Sequence, residues 1–286
     1  MAVVNTNVGA SVAQAALAKN ARELNTAMTQ LSTGQRINSA SDDASGLAIS
    51  NRMTSQINGL GAAIKNANDA VSMIATAEGA LDEVTDMLQR MRELAVQAGT
   101  GSGGSQDRTY LHAEFTALRS EIDRIADNTE WNGKTILNGT AGGTGVSAVT
   151  FQVGVDGGQT IAVEFGDMTD GSSGTMNALS SEVISGTTAA SGQTNATSAI
   201  TVLDTAIEAV STQRSTFGAG SNRLEHSVDN LTSVKINAEA SRSRILDTDY
   251  AESTSELART QIIQQAGTAM LAQANQLPQT VLALLQ

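Results

Sequence analysis

Apolar residues recur at alternating steps of three and four at both ends of the chain. Residues 260–286 carry no charged side chain, and the spacing there runs through Ile263, Gly267, Met270, Ala274, Leu277, Val281 and Leu284. Residues 1–18 are also uncharged, and the amino-terminal pattern includes Ala10, Leu17, Ala21, Leu24, Met28 and Leu31. This spacing is typical of the buried seam of a coiled coil. We therefore predict a helix at each end of the chain, packed through such a seam.

An uncharged end also raises the alternative of a membrane span, which the amide side chains disfavour. The amides that interrupt the carboxyl-terminal stretch include Gln264, Gln265, Gln273, Asn275, Gln276 and Gln279. Each would need a hydrogen-bond partner that lipid cannot supply. The longest wholly apolar run there, residues 281–285, is also much shorter than a bilayer requires. We expect protein surfaces, rather than lipid, to cover these ends.

Small residues in the seam bear on how the two ends fold. A buried seam side chain contributes roughly 1.5–3 kcal/mol, and several seam positions hold only Ala or Gly. Ordering seven residues costs about 10 kcal/mol. We infer that the ends are poorly ordered in a free subunit and fold when other copies surround them. The pattern therefore favours an assembly protein.

Between the ends, the pattern predicts long helices around a short β-hairpin. Helical spacing covers residues 57–95, then 111–125 after the glycine-rich stretch 99–105, and again 200–238. Apolar and polar residues alternate over 149–165 around a glycine turn, which is typical of a hairpin. The predicted fold class is mainly α: a long antiparallel helical rod, with a coiled coil formed by both chain ends and a small β-hairpin region in the middle of the chain.

The middle of the chain differs from the ends in charge. From Thr135 to Gln213 there is no Lys or Arg, whereas the acidic residues are Asp156, Glu164, Asp167, Asp170, Glu182, Asp204 and Glu208. Like-charged subunits of a polymer would need this charge to face water. The stretch 166–197 is small and polar, and we predict that it is short, exposed and variable. Asn-Gly turns are predicted at 132–133 and 138–139.

Composition narrows the classes of partner and site. The formal net charge of −12 disfavours nucleic acid or an anionic membrane as a principal partner. Aromatic residues make up 2% of the chain, so a large aromatic core is not available. The absence of cysteine excludes disulfides and thiolate metal sites. No Sec-type signal peptide is visible, and by that rule alone we expect a cytosolic protein.

Several motifs, in the same order, resemble those of bacterial flagellins. They are Leu31-Ser-Thr-Gly-Gln-Arg-Ile-Asn38, Asp42-Asp-Ala-Ser-Gly-Leu-Ala-Ile49, Leu88-Gln-Arg-Met-Arg-Glu-Leu-Ala-Val-Gln97, Asn222-Arg-Leu-Glu-His226, Ala240-Ser-Arg-Ser-Arg-Ile245, Asp247-Thr-Asp-Tyr250, Gln264-Gln-Ala-Gly267 and Leu271-Ala-Gln-Ala-Asn-Gln276. The resemblance covers nearly the whole chain. It implies a structural subunit that is not an enzyme and holds no cofactor.

The resemblance also implies a domain organisation. Residues 1–42 plus 250–286 would form an inner coiled-coil domain. Residues 43–165 plus 198–249 would form a helical rod domain that contains the hairpin 149–165. The segment 166–197 would then be the short exposed part, with no large outer domains. In this family the hairpin is linked to changes of filament shape, so we hypothesise that it is a two-state element.

Function and partners follow from the same resemblance. Flagellins leave the cell unfolded through the flagellar type III apparatus and self-assemble into the extracellular filament used for swimming, which overrides the cytosolic expectation. Implied partners are further copies of the chain, hook–filament junction and filament cap proteins, and an export chaperone at the C-terminal segment, but neither nucleic acid nor a membrane. The alternative is a hook–filament junction protein, which shares the coiled-coil ends and caps a filament rather than extending it.

Two sets of residues carry the predicted contacts. The filament-core set is Leu17, Leu24, Met28, Leu31, Ile263, Met270, Leu277, Val281 and Leu284. The second set matches flagellin positions for protofilament contact and, in the monomer, for recognition by the vertebrate Toll-like receptor for flagellin: Gln89, Arg90, Leu94, Gln97 and Glu114. We expect assembly to be the principal role of both.

Carboxylate pairs and histidines are weaker candidates for chemistry. They are Asp42 with Asp43, Asp247 with Asp249, and the histidines His112 and His226. Each carboxylate pair precedes a long predicted helix, so we predict helix N-caps, with Ser41 or Asp42 capping the first, rather than acid–base or cation chemistry. The histidines lie in different predicted helices and are too few for a metal site.

Overall fold

Helices account for 73% of the chain in the computed structural model. The structure describes residues 7–143, 145, 147–171 and 174–284, and for residues 277–284 it describes only the helical backbone. The elements are α1 (Val8–Thr33), α2 (Ala44–Ala98), α3 (Ser105–Asn128), β1 (Glu130–Trp131), β2 (Lys134–Thr135), β3 (Ala148–Gln152), β4 (Thr160–Glu164), a 3₁₀ helix (Asn177–Ser181), α4 (Ala189–Leu246) and α5 (Tyr250–Leu284). The predicted mainly-α fold is confirmed.

The chain divides into two compact units. The terminal unit comprises Met1–Ile57 and Ile236–Gln286, and the central unit comprises Asn58–Lys235. Both boundaries fall inside long helices, α2 and α4, so these helices contribute residues to both units. The domain boundaries inferred from the family resemblance stay a prediction.

In the terminal unit, α1 and α5 pack in antiparallel directions, which confirms the predicted pairing of the chain ends. The Asn7 side chain caps α1 by accepting a hydrogen bond from Ala10 N at 3.0 Å. Gly34 ends the helix with φ +70°, a left-handed conformation that a side chain would strain. Asp249 caps α5 by accepting from Ala251 N at 2.8 Å. Local capping residues therefore define both helices.

The central unit is built from α2, α3 and α4, and both α3 and α4 run antiparallel to α2. Ion pairs show the directions: Arg92 Nε lies 2.6 Å from Asp204 Oδ1, and Arg214 Nη1 lies 3.0 Å from Asp82 Oδ1. A shared apolar core fills the space between the helices. Its fully buried members include Leu81, Val84, Leu88, Met91, Phe115, Ile136, Leu137, Phe165, Leu203, Val210, Phe217 and Leu224. At 55 residues, α2 is longer than the pattern from Ile57 predicted.

Two antiparallel hairpins lie in the central unit. The first has Asn132 and Gly133 at φ +51° and +74°, the combination that a tight type I′ turn requires. The second pairs β3 with β4 in the register Ala148↔Glu164 to Gln152↔Thr160, which confirms the predicted hairpin. The other Asn-Gly pair does not close a hairpin, because Asn138 forms a bridge with Asp167 instead.

The prediction that 166–197 is an exposed segment is wrong for four of its large apolar side chains, although Val183 is 40% exposed. Met168, Met176, Leu179 and Ile184 are at most 1% exposed. These four residues are widely spaced in a polar background, so no periodic pattern marks them, yet each one reaches the core of the central unit. The last part of the segment is already helical, since α4 begins at Ala189.

Candidate functional site

The seam between α1 and α5 differs slightly from the set of apolar positions that the sequence predicted. On α1 the buried or half-buried positions with heptad spacing are Ala10, Ala13, Leu17, Asn20, Leu24, Ala27 and Leu31. On α5 they are Ser253, Leu257, Thr260, Gln264, Gly267, Leu271 and Ala274. Alternation by three and four is therefore as predicted, but polar residues occupy part of the seam. At some of these seam positions, apolar spacing alone instead predicts a residue one position away in the sequence.

Three residues predicted for the filament core consequently face away from the seam. Met28, Ile263 and Met270 are 53%, 40% and 65% exposed. Leu17, Leu24 and Leu31 lie on the seam as predicted. The side chains of the remaining predicted residues, Leu277, Val281 and Leu284, lie outside the described residues.

Contacts across the seam are both apolar and polar. A Cβ at Gly267 would lie 2.6 Å from Leu17 Cδ2, so the leucine fills the space that the missing side chain leaves. One turn further along α1, Asn20 Nδ2 donates to Thr260 O at 2.9 Å and to Gln264 Oε1 at 3.0 Å. At the start of α1, Asn7 Nδ2 donates to Ala274 O at 2.8 Å.

Large apolar side chains are left on the outward faces of the same two helices. On α1, Val8 and Val12 are 59% and 64% exposed, and on α5 Ile262 is 65% exposed. Together with Met28, Ile263 and Met270 they form what we call the outward apolar set. No charged residue occurs from position 260 onward, so the face of α5 that carries three members of this set can bury against protein without desolvating a charge.

A second candidate surface lies where α2 and α3 meet. Arg90 Nη2 lies 2.9 Å from Glu114 Oε1, and its Nη1 lies 2.9 Å from Glu93 Oε2. These hydrogen bonds raise the pKa of Arg90 above its ordinary value, and the bond with Glu93 makes the largest contribution. Gln89 and Gln97 are exposed and line an open groove of about 530 Å³ together with Arg92, Glu93, Val96 and Thr100.

Leu94 does not share that exposure. Its side chain is 1% exposed and belongs to the core of the central unit. Four of the five predicted contact residues therefore lie at an accessible surface, whereas Leu94 supports that surface from below. Whether a protofilament or a receptor binds there stays a prediction.

The carboxylate pairs are engaged in local hydrogen bonds. Asp43 Oδ1 accepts from Gly46 N at 2.9 Å, and this bond lowers the pKa of Asp43. Asp43, rather than Ser41 or Asp42, therefore caps α2. Asp42 instead accepts from the main-chain N–H groups of the preceding loop, whereas Asp247 accepts from Ser243 Oγ at 2.6 Å. Among the described residues, no group of three His, Asp or Glu side chains is placed to hold a metal ion.

One buried charge was not anticipated from the sequence. Arg108, in the first turn of α3, is 1% exposed, and its guanidinium donates to Ala98 O at 2.9 Å and Thr100 O at 3.0 Å. It thereby binds carbonyl groups at the end of α2, where the helix dipole favours a cation. Gly192 of α4 packs against it, since a Cβ there would lie 2.7 Å from Arg108 Cδ.

None of the helices in the described part of the chain combines the length and the apolar character that a membrane span requires.

Family models and individual relatives identify the same family. Residues 4–142 match the bacterial flagellin N-terminal helical region, and residues 200–285 match the bacterial flagellin C-terminal helical region. A flagellin of Halalkalibacterium halodurans is 45% identical over 284 residues, covering 99% of this chain and 100% of that protein. Flagellin A of Vibrio anguillarum is 36% identical over 380 aligned positions, with 99% of each chain covered.

A solved structure supports the fold at low sequence identity. It is assigned to a flagellar hook-associated protein of Vibrio parahaemolyticus, and it matches with a TM-score of 0.59 and 17% identity over 72% of this chain and 100% of that one. This likeness concerns the fold alone. On the family models and the full-length relatives, the chain belongs to the bacterial flagellin family and is a structural subunit of the extracellular flagellar filament.

Proposed function

We propose that the chain self-assembles through α1 and α5, and that further copies of the chain cover the outward apolar set. The observation that carries this proposal is the exposure of six large apolar side chains on these two helices. Full burial of such a side chain contributes roughly 1.5–3 kcal/mol. Covering the half-exposed set would therefore contribute several kcal/mol, and the contribution would recur at every subunit of a polymer.

Export in an unfolded state fits the weak pairing of the two ends. The seam contains alanine, glycine, serine and threonine, and polar residues hold its best-defined contacts. Such a seam adds little stability to a single chain. The absence of cysteine also prevents unwanted disulfides outside the cell. We infer that α1 and α5 fold fully only during assembly.

Partners other than copies of the chain are assigned on the family resemblance. An export chaperone would bind the C-terminal segment before assembly. Junction and cap proteins would contact the first and last subunits of the filament. The vertebrate Toll-like receptor for flagellin would bind the monomer at Gln89, Arg90, Gln97 and Glu114, where the Arg90–Glu114 pair joins α2 to α3.

A hook–filament junction protein is the second candidate function. The likeness to a hook-associated protein shows that such proteins share this fold, but both full-length relatives are named as flagellins. A filament subunit extends a seed repeatedly, whereas a junction protein adds to an end and stops growth. Electron microscopy of seeds incubated with purified chain distinguishes the two outcomes.

The proposal is tested by introducing a charge into the outward apolar set. Met270→Glu places a carboxylate on a face that we expect to be buried, so it should abolish elongation of seeds or reduce it at least tenfold, since an unpaired buried charge costs about 3–5 kcal/mol. Val183→Glu is the control, because Val183 is a 40% exposed apolar residue of the central unit. It should leave elongation unchanged.

Sedimentation of polymer and electron microscopy measure elongation, and circular dichroism checks that both variants remain helical. Normal filament growth by the Met270→Glu chain would contradict the proposal. Equal loss in both variants would show that added charge, rather than the outward apolar set, limits assembly.

A further inference from the structure

Asn20 is the buried asparagine of the α1–α5 seam. Its side chain is 4% exposed, and Nδ2 donates to Thr260 O and to Gln264 Oε1. Burial of an amide is favourable only where such acceptors are present. Asn20 is therefore sensitive to which residues of α5 lie opposite it.

Heptad spacing alone does not define this alignment, although the fit of Leu17 against Gly267 favours it. Seam positions recur on both helices with heptad spacing, so a shift of α1 along α5 by one heptad would again place seam residues opposite seam residues. In the observed alignment Leu17 lies against Gly267 and Asn20 against Gln264. Each step forward along α1 thus corresponds to an equal step back along α5.

A shift by one heptad would change the surroundings of both amides. If the observed alignment is continued along the sequence, Asn20 would face Leu257 after a shift in one direction and Leu271 after a shift in the other. Gln264 would face an alanine of α1 in both cases. The buried amide of Asn20 and the half-buried amide of Gln264 would then lose their shared hydrogen bond, which disfavours both shifted alignments.

Stability alone does not explain an asparagine at this position. Its Oδ1 is buried and has no hydrogen-bond partner within the described part of the chain. An unsatisfied buried acceptor lowers the stability of the pairing. A leucine here would bury more apolar surface, but it would remove the preference that the amide gives to the observed alignment.

We propose that Asn20, together with Gln264, sets the register of the antiparallel α1–α5 pair by excluding alignments shifted by one heptad. A single polar seam residue is known to specify register in coiled coils while it lowers stability. The inference rests on the proposed assembly function, because the register decides which side chains α1 and α5 together present to neighbouring subunits.

Pairs of introduced cysteines report the register, because the chain has no cysteine of its own. Ala27→Cys with Leu257→Cys reports the observed alignment. Ala27→Cys with Tyr250→Cys reports one shifted alignment, and Leu17→Cys with Ala274→Cys reports the other. Each double-cysteine chain is diluted into an excess of unmodified chain and oxidised. Cross-linked product that migrates as monomer on a non-reducing gel is then intramolecular.

Asn20→Leu is the test variant, and Asn25→Leu is the matched control at an exposed position of the same helix. The ratio of shifted to observed cross-links should rise about tenfold or more in Asn20→Leu, since the amide penalty is removed. It should not change in Asn25→Leu. Asn20→Ala also removes the amide, so it should raise the ratio as well. It replaces Asn20→Leu as the test variant if the leucine variant does not fold.

An unchanged ratio in Asn20→Leu and Asn20→Ala would overturn the assignment. Polymer is measured by sedimentation in the same samples. Absence of polymer from the unmodified chain would contradict the proposed function, whereas the cross-link ratio within the polymer that forms tests the register. The two failures are therefore distinguishable.

Discussion

Arg108 illustrates how a charged side chain is accommodated inside the central unit. The guanidinium donates to two carbonyl groups at the end of α2. These bonds give the carbonyl groups a hydrogen-bond donor and place the positive charge at the end of the helix dipole that favours it. In the sequence, Arg108 follows Ser105-Gln-Asp107 in a polar stretch that predicts an exposed helix start. Its burial depends on the turn that brings α3 back against α2, and local pattern does not contain that information.

Asp123 is a residue for which we predict a measurable dependence on pH. Asp170 N donates to Asp123 Oδ1 at 2.8 Å, and Arg119 Nε lies 3.5 Å from Asp170 Oδ2. Burial, with a contribution from the neighbouring Asp170 carboxylate, raises the pKa of Asp123 to about 6. The folded chain therefore binds more protons than the unfolded chain between about pH 4 and pH 6. The stability that this group contributes is present at low pH and is lost as the pH rises through 6.

Asp123→Asn resembles the protonated acid, so it should raise the melting temperature of the central unit at pH 7 and leave it nearly unchanged at pH 4. Asp127→Asn, an exposed carboxylate on the same helix, is the control. His112 acts in the opposite direction, because burial and Arg119 lower its pKa. Because His112 is present in both variants and in the unmodified chain, its contribution cancels when the melting temperature of each variant is compared with that of the unmodified chain. Equal melting profiles for the two variants would contradict the prediction.

At the scale of elements, the hairpin β3–β4 and helix α2 show what sequence pattern can and cannot provide. Strict alternation in residues 149–165 and glycine at the turn predicted the hairpin, because both signals are local. The helix against which it packs was not predictable. Asn66 Nδ2 donates to Gln152 O at 3.1 Å, and Val155 lies over Gly59, where an added Cβ would be 2.8 Å from Val155 Cγ1.

Seam assignment shows the same limit within a single helix. The periodicity of α1 was predicted correctly, but hydrophobicity cannot distinguish a seam that contains Asn20 from one that contains Ala21. Only the hydrogen bonds to Thr260 and Gln264 favour the first. Likewise, Leu94 was assigned to a surface by resemblance, although its position in α2 places it in the core.

We predict that the contact between Gly59 and Val155 restrains the proposed two-state hairpin. Gly59→Ala should displace Val155, reduce the protection of residues 148–164 from amide hydrogen exchange, and change the waveform of filaments in electron micrographs. Gly61→Ala is a matched control, because an added Cβ there has no atom within 4 Å. Both changes raise helix propensity by about 1 kcal/mol, so only the contact differs. The same waveform and the same protection in both variants would refute this role of the contact.

At the scale of the whole molecule, the two units differ in what stabilises them. The central unit buries aromatic and large aliphatic side chains from α2, α3, α4 and the hairpin. The terminal unit relies on a narrow seam between two helices and leaves the outward apolar set in water. Stability should therefore be unevenly distributed along the chain.

Hydrogen exchange of the full chain measures this distribution. In dilute subunit, the amides of residues 8–33 and 250–284 should exchange at least about a hundredfold faster than those of 81–95, and they should become protected in polymer. Residues 81–95 serve as the internal control, because they should be protected in both states. Full protection of both ends in dilute subunit would contradict the proposal that they fold on assembly.

The close fit of Leu17 against Gly267 has a consequence for how the family can vary. A methyl group at 267 has no room while a leucine occupies position 17, and a shorter side chain at 17 would leave a void beside the glycine. Either change alone would be unfavourable, whereas a smaller residue at 17 combined with alanine at 267 would restore the volume. Evolutionary drift at these two sites should therefore be correlated, with the sum of their side-chain sizes held nearly constant.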